Sequence, residues 1–301
     1  MNLRAQRREP LGPPHFNAKL RPVSHTPSAP SKQLRVGTVP YLVARPLDWG
    51  LEEEPGVKLI RAVPAKLVES LRSGELDVAL VSSIELFRQP GYSYLPDLAV
   101  AANGYISSVL MFHHCPIEEL KSVALDPASR AARALLQIVL SERGINPQWV
   151  DVPSGEDPRY AGCDGWLRIG DAALKECVDP TTPKAFCPSA AWREQTGLPF
   201  PYAVWIVRPG VDIRPHLEAF TSARERGAKA LSHLIEVGAD TWNLEPEFVH
   251  RYLALESHYQ LGEQLPLALD ELRDRAAQIG LCEAHHDPRA IESLKTQEIP
   301  K

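Results

Sequence analysis

Long apolar runs are missing from this chain. No segment reaches about 18 uninterrupted apolar residues, so a membrane-spanning helix is not expected. Cysteine is scarce: Cys115, Cys163, Cys177, Cys187 and Cys282 make an odd number, and no two have Cys-x-x-Cys spacing. That argues against a disulfide framework or a zinc knuckle and fits structural thiols in a reducing, cytoplasmic setting. A basic block interleaved with aromatics is also lacking, and the net charge is −5, so no nucleic-acid partner is expected. The glycine-rich nucleotide fingerprints and the Gly-x-Ser-x-Gly elbow do not occur. His113-His114 and His285-His286 are adjacent pairs; strand neighbours point to opposite faces and make poor chelates. No metal, nucleotide or other cofactor is therefore expected.

What is present is enough for a large core. The chain has 301 residues with 44% hydrophobic content, which suits one large domain or two lobes. Residues 1–33 stand apart. They are rich in Pro and Arg and have no apolar h-region, which excludes a secretory signal. They read as a disordered leader, with little apolar surface to offset the entropy of ordering; the arginines leave a transit peptide as the alternative. Residues 283–301 read as a peripheral tail.

Strand-like and helix-like stretches alternate from Leu34 onward. LRVGTVPYL, VKLIRAV and LDVALVS read as strands, with a short helix opened by Pro46 after the first. PAKLVESLRSG is a helix with Pro64 at its start, Leu67, Val68 and Leu71 on one face, and Gly74 as its stop. SIELFRQ is a short helix, and LAVAANG and SSVLMFHH are strands on either side of a turn. A second block repeats the theme. SVALD, WVDVP and the start of GWLRIGDAAL are strands, and the Leu135, Leu136, Val139, Leu140 stripe marks a helix ending at Gly144. AAWREQTG is helical, YAVWIVRP is a strand, and His216–Gly280 is helical with breaks near Gly238 and Gly262. This alternation predicts an α/β fold of parallel sheets in two lobes, one built from residues 34–113 and 204–282, the other from 114–203. Ligands in such folds bind at the carboxyl ends of strands, here in the cleft between lobes. No oligomeric state follows from the pattern.

Five strand ends would converge there: Thr38–Arg45, Ser82–Glu85, Asn103–Ser108, Asp126–Arg130 and Ile169–Asp171. They offer hydroxyls and carboxylates, three of them at a helix start, where free N–H groups favour an anion. The candidate binding residues are Tyr41, Ser82, Ser83, Ser129, Arg130, Gly170 and Asp171. Ser83, Ser129 and Asp171 also read as helix caps. Ser108 sits at a strand, where no cap is needed. Arg45 and Arg130 suit a ligand carboxylate or solvent equally. Glu85 and Asp171 are candidate proton acceptors on residue type, with water or a substrate carboxylate as alternatives. Composition and spacing thus indicate a two-lobed α/β protein that binds a small anion.

The ordered segments RVGTVPYL, GELDVALVSSIE, NGYISSVL, DPASR, IGDAAL and TGLPF followed by YAVW go further. Together they resemble chorismate dehydratases of the futalosine route to menaquinone, over roughly residues 34–282. The resemblance implies a periplasmic-binding-protein type II fold working in the cytoplasm, a dicarboxylate substrate and no cofactor. It implies loss of water from chorismate, giving 3-[(1-carboxyvinyl)oxy]benzoate. Ser108 matches a serine associated with the elimination. Val43 stands where the family has the asparagine that acts with it. Ala131 and Ala132 replace a Thr-Ser pair, and Cys187, Pro188 and Ser189 replace Asp-Leu-Gly. These departures imply weakened or altered chemistry. The alternatives are a non-catalytic carboxylate-binding protein and a lyase or isomerase acting on a less polar relative of chorismate.

Overall fold

The structure is a computed structural model and describes residues 33–126 and 130–292. Its first element, β1 (Leu34–Thr38), runs beside β2 (Val57–Arg61), with the one-turn helix α1 (Arg45–Asp48) between them. The helix α2 (Pro64–Ser73) begins with proline at its first turn and ends on Gly74 at φ 78°, a left-handed cap that glycine adopts without steric cost. Its buried face is Leu67, Val68 and Leu71, as the spacing predicts. Then come β3 (Val78–Ser82), a short 3-10 turn over Ser83–Phe87, and β4 (Ser93–Ala102).

The chain then leaves this sheet. β5 (Val109–His113), β6 (Ser122–Leu125), β7 (Gln148–Asp151), β8 (Gly165–Ile169) and the short β9 (Ala185–Phe186) form a second sheet in the order β7-β6-β8-β5-β9. The strands that sequence places either side of a turn, β4 and β5, do not pair. The turn between them is the crossing from one sheet to the other. Helices α3 (Arg130–Ser141), α4 (Gly170–Val178) and α5 (Pro188–Thr196) belong to this block. In α3 the expected stripe is buried, and so are Ala131, Ala132, Ala134 and Ile138, so the helix is enclosed on most sides.

β10 (Phe200–Val207) returns to the first sheet between β3 and β4 and runs antiparallel to both. This corrects the expectation of wholly parallel sheets. The first sheet has the order β11-β4-β10-β3-β1-β2 and is mixed, as is the second, in which β5 and β8 are antiparallel. Alternation of strands and helices reports crossovers but not the direction in which a chain re-enters a sheet.

The stretch after His216 is less uniformly helical than its pattern predicts. It contains α6 (Leu217–Lys229), α7 (Leu231–Trp242), α8 (Pro246–His250), a π-turn over Arg251–Glu256, the strand β11 (Ser257–Gln260) and α9 (Gln264–Gln278). Gly238 is not a break. It lies inside α7, where a Cβ would come within 2.7 Å of Leu42 and 2.8 Å of Val249, so its bareness permits close approach to the loop after β1. The helix instead stops at Asn243, which takes the left-handed conformation at φ 54°. Finally β12 (Arg289–Ala290) joins the first sheet alongside β4. Both sheets carry helices and meet over a shared apolar core, giving two α/β lobes with a cleft between them.

Candidate functional site

The cleft holds a cavity of about 340 Å³. This lies within the range of roughly 300–1,000 Å³ typical of small-molecule sites. Most of its wall is aliphatic. Its polar groups come from the strand ends that sequence brings to this point, together with two tyrosines from the return path.

The loop after β1 supplies Val39, Tyr41 and Val43 to the wall. Its shape is set from beneath. Asp48 is fully buried and its Oδ2 accepts from Thr38 Oγ1 at 2.8 Å and from Arg45 Nη2 at 2.7 Å. Arg45 also donates to the Val39 carbonyl at 3.2 Å. Arg45 is therefore turned inward as a brace for the loop. Burial pushes the Asp48 carboxyl up to about 6, against the opposing pull of Arg45 and Thr38. Burial also raises the Tyr41 phenol, with help from the charges of Asp126 and Asp171.

Ser108 lies at the end of the crossing between the sheets. It is buried and lines the cavity, as does Tyr252, itself buried in the wall. Its carbonyl accepts from the Gly170 N–H at 2.8 Å, and the adjoining Val109 pairs with Ile169. These contacts bring Ser108 next to the start of α4. Gly170, Asp171 and Ala172 line the cavity there, and Ile169 provides no side-chain cap, so the positive end of α4 faces the cleft. Asp171 does not cap its helix; its place is the first turn.

At the end of β3 the two serines divide. Ser82 lines the cavity, and its buried hydroxyl has no partner among the described residues. Ser83 is not part of the wall and does not cap the turn; its hydroxyl donates to the Pro201 carbonyl at 2.5 Å and ties β3 to β10. Glu85 is buried and accepts from Arg72 at 2.5 Å, Arg88 at 3.0 Å and Arg130 at 2.8 Å. Its carboxyl is desolvated, but the three guanidinium groups prevail and hold it below the usual range. So clamped, it is unsuited to accept a proton. Arg130 reaches the cavity wall while paired to Glu85, and the cluster keeps an excess of positive charge. Asp126 also lines the cavity; Ser129 lies outside the described residues.

Residues 34–278 match the menaquinone biosynthesis family. The chain is 33% identical to a chorismate dehydratase from Thermus thermophilus, over 72% of this chain and 86% of that one. The chain belongs to the chorismate dehydratase family. A second chorismate dehydratase, from Campylobacter jejuni, is 34% identical over 54% of this chain and 58% of its own length. Among solved structures, a protein from Archaeoglobus fulgidus superposes with a TM-score of 0.68 at 18% identity, covering 83% of this chain and 99% of the other. The alkanesulfonate-binding protein of Xanthomonas axonopodis pv. citri gives 0.62 at 18% identity, covering 85% and 96%. The fold is that of periplasmic binding proteins.

Within this chorismate dehydratase scaffold the unusual residues have different surroundings. Val43 is on the cavity wall. Ala131 and Ala132 pack in the core and are not among the lining residues. Cys187 and Ser189 support the crossing: the Ile106 N–H donates to Cys187 Sγ at 3.4 Å, and Ser189 Oγ donates to the Gly104 carbonyl at 2.7 Å. Sequence reasoning missed Tyr202 and Tyr252. Tyr202 lies in the YAVW segment that carries the family likeness, and that segment was a usable signal. Tyr252 has none, because it sits in a stretch whose spacing reads as ordinary helix.

Proposed function

We propose that this chain is a hydro-lyase that converts chorismate to 3-[(1-carboxyvinyl)oxy]benzoate in menaquinone biosynthesis, at a rate lowered by Val43. The ring hydroxyl leaves as water, a ring proton is lost, and the electrons of that C–H bond complete the aromatic ring. Aromatisation supplies the driving force. The observation that carries this reading is that Val43 and Ser108 line one cavity of suitable size.

Each residue has a task in this scheme. Ser108 directs its hydroxyl at the leaving oxygen. Asp171, adjacent to the glycine that bonds the Ser108 carbonyl, takes the ring proton. Arg130 and the uncapped start of α4 attract the two substrate carboxylates, with Ser82 and Tyr41 as further hydrogen-bonding groups. Val43 offers no polar group to the developing charge. Loss of one such group costs about 2.7–4 kcal/mol, or 10²–10³ in rate.

The test is incubation of the purified chain with chorismate, followed by chromatography of the products. Absence of the vinyloxybenzoate at high enzyme concentration, for both the chain and its Val43→Asn variant, would sink the proposal. A second reading, carboxylate binding without turnover, is favoured by the same valine. It requires chorismate or a related acid to raise the melting temperature while no product forms.

A further inference from the structure

Residues 281–291 follow α9 and lie beyond the stretch 34–278 that matches the family. They form a strap. At its near end Leu281 and Cys282 pack against the core. At its far end β12 pairs with β4, and the Ile291 N–H donates to the Tyr94 carbonyl at 2.9 Å. Between these points the polar contacts converge on two adjacent residues, Phe87 and Arg88. The Glu283 N–H donates to the Phe87 carbonyl at 3.2 Å. His286 Nδ1 donates to the same carbonyl at 2.9 Å; a carbonyl only accepts, so this bond requires the proton on Nδ1. Arg88 Nε donates to the Leu281 carbonyl at 3.3 Å.

Phe87 ends the 3-10 turn Ser83–Phe87, and Arg88 follows it. The other end of the turn is tied down by Ser83 through its bond to the Pro201 carbonyl. The turn is thus clamped at both ends, and Glu85, with its buried carboxylate, lies at its middle. Arg88 Nη1 and Arg130 Nη1 both donate to Glu85 Oε1, at 3.0 and 2.8 Å. Arg130 opens α3 and reaches the cavity wall. An unbroken run of hydrogen bonds therefore leads from the strap to a cation in the cavity. One short 3-10 turn has few bonds of its own, so what holds its ends decides where Glu85 stands. A strap that only covered apolar surface would account for Leu281 and Cys282, but not for two donors on the Phe87 carbonyl.

We infer that residues 281–291 position Arg130 in the cavity wall, acting through Arg88 and Glu85, with Glu283 and His286 as the clasp. The step from Arg130 to a substrate carboxylate rests on the proposed reaction; the placement of Arg130 does not.

Two readouts on the full chain test this. The double variant Glu283→Pro/His286→Ala removes both donors to the Phe87 carbonyl. In the chorismate assay it is expected to raise KM roughly five- to twenty-fold with kcat within about two-fold, since Arg130 holds the substrate and not the reacting bond. An unchanged KM, whatever the melting temperature does, overturns the inference. His286→Ala leaves the main chain alone and is expected to raise KM about two- to three-fold, and His286→Asn, whose amide donates from the place of Nδ1, to return it to the parent value. Equal KM in the alanine and asparagine variants also overturns it. The second readout needs no ligand. Phenylglyoxal adds to accessible guanidinium groups, and mass spectrometry of the peptides gives the rate at each arginine. In the double variant and in His286→Ala the rate at Arg130 is expected to rise several-fold relative to Arg133, which lies on the same helix and is paired with Asp151 instead. An unchanged ratio overturns the inference. If neither the chain nor Val43→Asn forms product, the proposed reaction falls and the modification of Arg130 alone decides the role of the strap.

Discussion

Val43 and Ser108 line the same cavity although one follows the first strand of the first sheet and the other precedes the first strand of the second. A brace of Thr38, Arg45 and Asp48 holds the valine loop, and the start of α4 is bonded to the serine carbonyl. At position 43 that wall carries an aliphatic side chain. The consequences for rate can be measured directly.

Val43→Asn should raise kcat for chorismate. Restoring one hydrogen-bonding group near the developing charge is worth up to about 2.7–4 kcal/mol, or 10²–10³-fold. Steady-state kinetics on purified variant and parent check this, and a variant no faster than the parent contradicts the assigned role of the loop.

Ser108→Ala should remove most turnover while leaving the fold intact. The residue is small and makes its main-chain bond to Gly170 whatever its side chain. A kcat reduced by about 10²-fold or more, with a melting temperature within a few degrees of the parent, is the expected pair of results. Full activity in the alanine variant rules out a role in catalysis.

Stability should vary with pH through Asp48. Its carboxyl is raised from 3.8 to about 6, chiefly by burial. The folded state thus binds this proton more tightly than the unfolded chain. The contribution is most favourable below pH ~4 and is lost as pH rises toward about 6, a change of order 3 kcal/mol. Glu85 works in the opposite sense: its lowered carboxyl stabilises above its unfolded value and loses that contribution as pH falls. Asp48→Asn should therefore flatten the fall in urea-unfolding free energy between pH 4 and 6. A variant with an unaltered slope would contradict the assignment.

Glu85→Gln should destabilise the protein rather than abolish an acid–base step. It leaves three guanidinium groups without their shared carboxylate, and their partial exposure lets water compensate in part. A loss of about 2–3 kcal/mol, seen as a melting point several degrees lower, is expected, together with weaker chorismate binding as Arg130 loses its anchor. Loss of kcat alone, with unchanged stability, would restore Glu85 as a proton acceptor.

Much of the scaffold was legible in sequence because its signals are local. Pro64 and Gly74 bound a helix by their own backbone preferences, and the stripe at Leu135, Leu136, Val139 and Leu140 marks a buried face. β11 was not legible: SHYQ has no strong strand pattern and is a strand because β4 offers it an edge. Gly238 was misread as a break for a similar reason, since a glycine required by close packing looks locally like one required by a turn. Among site residues, Tyr41, Ser82, Arg130, Gly170 and Asp171 reach the cavity from the strand ends where they were expected.

The sequence by itself determined the alternation of strands and helices, the family, and the presence of a valine and a serine at two strand junctions. These depend on residue type and short-range spacing. Tertiary structure alone decided that Ser83 braces β10, that three arginines commit Glu85, and that Tyr252 joins Ser108 on the cavity wall. The physical reason is that desolvation and hydrogen-bond partnership are set by groups far away along the chain, and no local pattern encodes which of them a side chain will meet.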